Sequence, residues 1–185
     1  ALETFKKHYP IPPSLPELMI NIVSHAKSIF MFPGDNNHEW NAVRTHLNSD
    51  AKVTIIDDTS DLFRYNDDNE LVESEQVTVL RSSAIDASAR LVKQEFDLIW
   101  ISSIIERLTP IQAMIMLSRA SSAISPGGSF TGMILSQKNE VSWPDPRFKN
   151  QFNLKQIELL FQYSGIESVK FESWGDYKLF HAKKN

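Results

Sequence analysis

"FDLIWISSIIERLTPIQAMIMLSRASSAISPGGSF", residues 96–130, contains a strand, a helix and the start of a second strand. Its first seven residues are almost all apolar, which is typical of a strand buried on both faces of a parallel sheet. Thr109 can cap the next helix, Pro110 suits its first turn, and Gln112 completes the spacing of a capping box. The "SPGG" run ends the helix before "SFTGMIL", a further apolar stretch. This stretch therefore predicts a β-α-β unit.

The same alternation precedes residue 96. Three more apolar runs predict strands, namely "SIFMF" (28–32), "KVTIID" (52–57) and "QVTVLRS" (76–82). A helix is expected at "ELMINIVSHA" (17–26), with Leu18, Ile22 and Val23 on one face. A second helix would bury Trp40, Val43 and Leu47 and be capped by Asn36 or Asn37. A third is expected from Ala84 to Lys93. Parallel strands joined by helices are the expected arrangement.

The end of the chain departs from this alternation. Asn153 and Gln156 open a last helix, which Gly165 closes. "SVKFESW" and "YKLFHA" follow, joined only by Gly175 and Asp176. A two-residue link suits a type II′ hairpin and is too short for a parallel crossover, so the final strand must run antiparallel.

Composition limits the possible functions. A chain of 185 residues fits one domain, here 1–185 with an irregular, proline-rich arm at 1–16. A net charge of -4 argues against nucleic-acid binding as the main activity. The absence of cysteine excludes disulfides and cysteine nucleophiles, and no apolar run is long enough for a membrane helix. We expect a soluble, cytoplasmic protein that binds neither membrane nor nucleic acid.

The series of β-α units ending in an antiparallel hairpin resembles the class I S-adenosylmethionine-dependent methyltransferase family. The resemblance runs from the first helix onward and is carried mainly by residues 96–130, with Asp97 near the start of a strand, the helix from Ile111, and Ser125 opening the "SPGG" turn. It implies an α/β fold with a mostly parallel seven-stranded sheet, helices on both faces and a terminal antiparallel β-hairpin. It also implies S-adenosylmethionine as the cofactor.

The first cofactor motif of that family is an acidic residue in strand one followed by a G-x-G-x-G turn. This chain has "FMFPGDNN", with Met31 where the acid is expected and Gly34 as the single glycine of the turn. By resemblance, Phe32, Gly34, Asp35 and Asn36 would lie against the amino-acid end of the cofactor. The alternative is a plain strand-to-helix connection whose side chains fill the space that glycines leave open.

The second cofactor position is better retained, and the third lacks its acid. Asp57 stands at the end of strand two with Asp58 beside it, where an acid accepts hydrogen bonds from ribose hydroxyls. The resemblance places Ser83 and Ala84 near adenine, where the family carries an acid. It places Ser102 at the end of strand four, beside the cofactor and on the substrate side. A polar strand end without ligand is the alternative for Asp57, and a purely structural role is the alternative for Ser83 and Ala84.

Catalytic candidates are few. His38, at the start of the helix after the first turn, could act as a general base, and Glu106 lies in the segment after strand four. An exposed histidine at a helix start is the structural alternative for His38, and no third ligand joins Asp35 and His38 to form a metal site. Trp143 and Trp174 could form a substrate wall, a partner surface or ordinary packing.

Two functional hypotheses follow. The first is a divergent methyltransferase-like domain with impaired cofactor binding, acting as a binding or scaffold module for a protein partner or an adjoining domain. The second is an active S-adenosylmethionine-dependent methyltransferase acting on a small molecule. A third class, a nicotinamide-dependent oxidoreductase, is disfavoured because its G-x-G-x-x-G spacing is absent.

Overall fold

A seven-stranded sheet forms the centre of the protein in the computed structural model, which describes residues 14–33, 38–58, 71–91, 95–102, 104–135, 153–175 and 177–184. The strands are β1 (Ser28–Phe32), β2 (Lys52–Asp57), β3 (Val77–Arg81), β4 (Phe96–Ser102), β5 (Ile124–Leu135), β6 (Lys170–Trp174) and β7 (Tyr177–Lys183). The α-helices are α1 (Glu17–His25), α2 (His38–Arg44), α3 (Ala84–Ser88), α4 (Pro110–Ala123) and α5 (Leu154–Tyr163). Two 3-10 turns lie at Ala89–Leu91 and Ile105–Arg107.

The strand order is β3-β2-β1-β4-β5-β7-β6. Strands β1 to β5 pair in parallel, whereas β7 runs antiparallel to both β5 and β6. Gly175, with a φ of 61°, begins the link between β6 and β7, as the first position of a type II′ turn requires. The structure thus confirms the predicted fold class and its antiparallel hairpin.

Each face of the sheet packs against helices. Leu98 and Trp100 of β4 join α1 and α2 in one apolar cluster, which we call the front face. Ile99 and Ile101 join α3, α4 and α5 in the other, the back face. Alternate residues of β4 therefore enter different cores, which explains why the strand has an almost continuous apolar sequence.

Asp97 fixes the start of β1 to the start of β4. Its Oδ2 atom accepts hydrogen bonds from the backbone N–H groups of Lys27 at 2.9 Å and Ser28 at 3.2 Å. The aspartate of the fold-defining stretch therefore acts at the amino edge of the sheet, where parallel strands begin.

The predicted capping box of α4 is present. Gln112 N donates to Thr109 Oγ1 at 3.3 Å, and Thr109 N donates to Gln112 Oε1 at 3.0 Å. The expected strand start after "SPGG" is wrong, because β5 already begins at Ile124. Gly127, with a φ of 78°, lies where the β4–β5 register shifts, so the glycine run forms an irregularity within the strand.

Two other helix predictions need correction. The buried stripe of α1 contains Met19 and Val23, whereas Leu18 is exposed. The helix expected from Ala84 ends at Ser88 and continues as a 3-10 turn. Helix α5 starts with the predicted cap at Asn153.

None of the helices in the described ranges is long and apolar enough to cross a membrane.

Candidate functional site

The strand order reverses between β1 and β4, and a crevice at the carboxyl ends of these strands is where ligands bind in open α/β sheets. The last residues of the first four parallel strands are Phe32, Asp57, Arg81 and Ser102. The resemblance had placed three of these residues beside the cofactor. The structure brings them to one edge of the sheet, so their side chains decide what the crevice offers a ligand.

The end of β1 is apolar. Met31 is fully buried in the front core, and Phe32 is fully buried in the back core with its ring 5.0 Å from that of Phe30. A ligand at this strand end can meet the backbone of Phe32, since the ring lies inside the protein. The remaining turn predictions, Gly34, Asp35 and Asn36, lie outside the described residues, as does the side chain of His38.

The end of β2 is acidic. Asp57 is 7% exposed, and its Oδ2 lies 3.8 Å from Nε of Arg81, the residue paired with it on β3. Because the arginine side chain is largely exposed, this ion pair is screened by water and contributes little to stability. A carboxylate has several acceptor positions, so Asp57 is suited to accept a hydrogen bond from a ribose hydroxyl. Asp58 follows it, half-buried.

The predicted adenine position is part of a helix cap. Ser83 is the N-cap of α3, and its Oγ accepts a hydrogen bond from Asp86 N at 3.1 Å. Ala84 is buried beneath it. The adenine amino group needs an acceptor, and one of the two lone pairs of this hydroxyl already serves the helix. Ser83 is therefore a poorer acceptor than the carboxylate that the family carries there.

Ser102 faces the front core. Its side chain is fully buried, and its Oγ accepts a hydrogen bond from Trp100 Nε1 at 2.5 Å. The two residues share a face because they are two positions apart in one strand. The hydroxyl that the resemblance assigned to the substrate side thus satisfies a buried indole N–H.

Two buried carboxyl groups lie in the segments that follow β1 and β4. Glu106, a catalytic candidate, is 2% exposed in the 3-10 turn after β4. Glu39, the second residue of α2, is 0% exposed and was missed by the sequence analysis, which chose the neighbouring His38. An acid in the first turn of a helix is common because it complements the helix dipole, so its position alone gave no sign of burial.

Trp174 has a packing role. It is buried in the front core, and its Nε1 donates to the backbone oxygen of Ser14 at 2.7 Å, which ties the segment before α1 to β6. Trp143 lies outside the described residues. Within the described ranges, no three histidine, aspartate or glutamate side chains come together as a metal site would require.

These observations test the fit to S-adenosylmethionine. The ribose position fits, because Asp57 presents a carboxylate at the end of β2. The amino-acid end of the cofactor, a charged ammonium and carboxylate, would instead meet the apolar end of β1 and a serine that is turned away. The described residues therefore fit the cofactor in part.

No protein-family model and no curated protein sequence matches the chain. Solved methyltransferase structures do match its fold. An O-methyltransferase family protein from Burkholderia thailandensis is 13% identical with a TM-score of 0.65, covering 91% of this chain and 56% of that one. Human N-acetylserotonin methyltransferase, solved with S-adenosylmethionine, is 13% identical with a TM-score of 0.65, covering 90% and 50%.

A third structure, a SAM-dependent methyltransferase from Archaeoglobus fulgidus, is 13% identical with a TM-score of 0.68, and 99% of each chain is covered. This chain spans about half the length of the first two structures. At this level of identity the likeness shows the fold alone. The chain has the class I methyltransferase fold.

Proposed function

We propose that this chain, which has a methyltransferase fold, is a divergent domain with weakened cofactor binding that acts as a binding or scaffold module. One observation carries the proposal: among the described residues, β1 and β4 end on side chains turned into the cores. These two strands flank the point where the strand order reverses. Met31 and Phe32 are buried in β1, and Ser102 is bonded to Trp100 in β4.

The energetic reason concerns the polar end of the cofactor. An ammonium or carboxylate that loses water on binding, and finds no partner, costs about 1–3 kcal/mol or more. Each 1.4 kcal/mol lowers affinity about tenfold. Among the described residues, the site keeps the ribose acceptor, but the side chains at the ends of β1 and β4 are turned into the cores. Such a site should bind much more weakly than a working methyltransferase site.

Calorimetric titration with S-adenosylmethionine and with S-adenosylhomocysteine tests this proposal. We expect dissociation constants weaker than about 100 μM, which corresponds to about 5.5 kcal/mol. Asp57→Asn should abolish the remaining binding, while Asp50→Asn, a change at an exposed acid before β2, should leave it intact. Tight binding that Asp57→Asn weakens would overturn the impaired-site proposal.

Asp57 itself favours a second candidate, an active methyltransferase on a small molecule. A nearly buried carboxylate at the end of β2 is what ribose recognition needs. Under this candidate the purified chain binds S-adenosylmethionine below about 100 μM and converts it to S-adenosylhomocysteine when small hydroxyl or amine acceptors are added. Binding weaker than about 100 μM, without any such conversion, would favour the scaffold function.

The scaffold function also requires an interaction partner. Our proposal is a protein partner or an adjoining domain, because a binding module whose crevice binds its ligand weakly must use its outer surface. Co-purification of the chain with a defined stoichiometric partner, or its occurrence as part of a longer polypeptide, would support this part of the proposal. A monomer that turns over S-adenosylmethionine without any partner would contradict it.

A further inference from the structure

Helix α4 is apolar on two opposite faces. Its inner face is packed in the back core and consists of Ala113, Met116, Leu117, Ala120 and Ala123. Its outer face carries Ile111, Met114, Ile115, Ser118 and Ser122, which we call the outer stripe. Ile111 is 71% exposed and Ile115 is 42% exposed. A surface helix normally has one apolar face and one charged face, so the outer stripe is suited to a second contact.

We infer that the outer stripe is a self-complementary surface through which two copies of this chain associate. The inference names a second copy of the chain as the partner of the proposed binding module, and that role for the second copy rests on the proposed function. Two arguments favour a second copy over a partner of different chemistry. The first concerns charge and the second concerns side-chain size.

The outer stripe carries no charge. Arg119 is the single charged residue in the sequence of α4, and its Nη1 atom donates to Ser88 Oγ at 2.8 Å and to the Ile85 backbone oxygen at 3.3 Å. These bonds hold the guanidinium toward α3. A neutral surface does not repel its own copy, and it offers no opposite charge to steer an acidic or basic partner.

Side-chain sizes match when two stripes pair antiparallel about a two-fold axis. A centre between residues 116 and 117 places Ile111 opposite the second copy's Ser122, and Ile115 opposite the second copy's Ser118. Both isoleucines of the stripe then meet serines, as packing of ridges into grooves requires, while Met114 lies opposite position 119, whose guanidinium is held toward α3. Parallel pairing would instead set isoleucine against isoleucine. A symmetric pair is also the commonest form of association between identical chains.

Burial of Ser122 costs little. Ser122 Oγ donates to the Ser118 backbone oxygen at 3.1 Å, so this hydroxyl is satisfied within the helix. A small residue with a satisfied hydroxyl allows another helix to approach closely without leaving an unpaired polar group. The Ser122 end of the stripe is therefore compatible with a buried contact.

Helix α5 enlarges the surface. Ser121 Oγ of α4 donates to the Gly165 backbone oxygen just after α5, which places the two helices side by side. Leu159 and Tyr163, one turn apart on α5, are both exposed. Helix α4 has 14 residues, or about 21 Å of length. A contact limited to these two helices is smaller than the standard interface of about 800 Å² per partner, so we expect a weak, reversible dimer.

Sedimentation equilibrium over about 5–500 μM chain tests the inference. We expect the mass to rise with concentration from the 21.1 kDa monomer toward twice that value. Ile115→Glu should weaken association at least tenfold, because it buries one charge from each copy. Leu18→Glu is the matched control, since it is a similarly exposed apolar residue on the opposite face of the sheet, and it should leave association unchanged.

The register is tested by cysteine crosslinking, because the chain has no cysteine of its own. In the antiparallel pair the two copies of residue 115 are about 5 Å apart along the axis, and those of residue 122 about 16 Å apart. Disulfides need Cα atoms within about 7 Å. Ile115→Cys should therefore crosslink on mild oxidation, and Ser122→Cys should not.

The outcomes separate cleanly. A chain that stays monomeric at all concentrations, or a dimer that Ile115→Glu leaves intact, overturns the inference. Should Ile115→Glu unfold the chain, as judged by circular dichroism, Ser118→Glu gives the same test at a smaller, exposed residue. Equal crosslinking at both cysteine positions refutes the antiparallel register. None of these results changes the affinity for S-adenosylmethionine, so the proposed function stands or fails by its own titration.

Discussion

Replacing Ser102 by alanine should destabilise the protein and leave its ligand binding unchanged. The Ser102 hydroxyl is fully buried and accepts the indole N–H of Trp100, which is equally buried. Removing the hydroxyl leaves a buried donor without its acceptor, a loss worth about 1–3 kcal/mol. For a chain of 185 residues, each 1 kcal/mol lowers Tm by about 2–4 °C. A loss of about 2 kcal/mol thus predicts a decrease of about 4–8 °C.

A double-mutant cycle isolates this hydrogen bond. The free energy of unfolding is measured by urea denaturation for the wild type, Ser102→Ala, Trp100→Phe and the double variant. Because Trp100→Phe removes the donor as well as ring volume, the double variant should lose less than the sum of the single losses, with a coupling energy on the order of 1–2 kcal/mol. Ser118→Ala, the same change at an exposed serine, should alter stability by less than about 0.5 kcal/mol.

Two results would refute this reasoning about Ser102. Additive losses, within about 0.5 kcal/mol, would show that the hydroxyl and the indole are not coupled. A clear loss of S-adenosylmethionine affinity in Ser102→Ala at unchanged stability would show that the hydroxyl serves a ligand, as the resemblance first suggested. The expected pattern is the reverse, with lower stability and the same titration.

Three further predictions concern the fold. Gly132→Ala should destabilise the protein by at least about 1–3 kcal/mol in urea denaturation, because a Cβ there would overlap the backbone of the neighbouring strand β4. Asp97→Ala should cost about 2 kcal/mol or more by removing the acceptor of two backbone N–H groups, while Asp97→Asn, which keeps one oxygen, should cost less. Burial, with smaller contributions from Lys170 and Lys183, lowers the pKa of His181 below 6.5. The unfolded chain therefore binds the proton first as pH falls, so stability should decline below about pH 6.5 more steeply in the wild type than in His181→Gln.

The fold could be predicted because its signals are local and repeated. A strand buried on both faces needs a continuous apolar run, and β1 and β4 each contain one. The link at Gly175 is too short for any connection except a hairpin. The helix phase of α1 was harder to predict, because Leu18 with Ile22 and Met19 with Val23 both show the four-residue spacing of a helix face. The placement of the helix against the sheet decides between them.

The site was less predictable, because it depends on which way individual side chains turn. The orientation of Ser102 could have been read from the sequence, since it stands two positions after Trp100 and strand side chains alternate. The burial of Glu39 could not, because a glutamate in the first turn of a helix is usually solvent-exposed. The role of Ser83 could be narrowed to two alternatives only, because a serine at this position can cap a helix or contact a ligand.

Asp97, one of the residues that identify the fold, and the residues that would bind the cofactor lie at opposite edges of the sheet. Asp97 acts at the amino edge, where it fixes the start of β1 to β4. Ligand recognition would require polar groups at the carboxyl edge, where Asp57 offers a carboxylate but Met31 and Ser102 face the core. Since strand starts and strand ends make separate contacts, changes at one edge need not disturb the other. A chain can therefore keep every signal of this fold while its cofactor crevice diverges, and the affinity for S-adenosylmethionine, rather than the fold, decides its function.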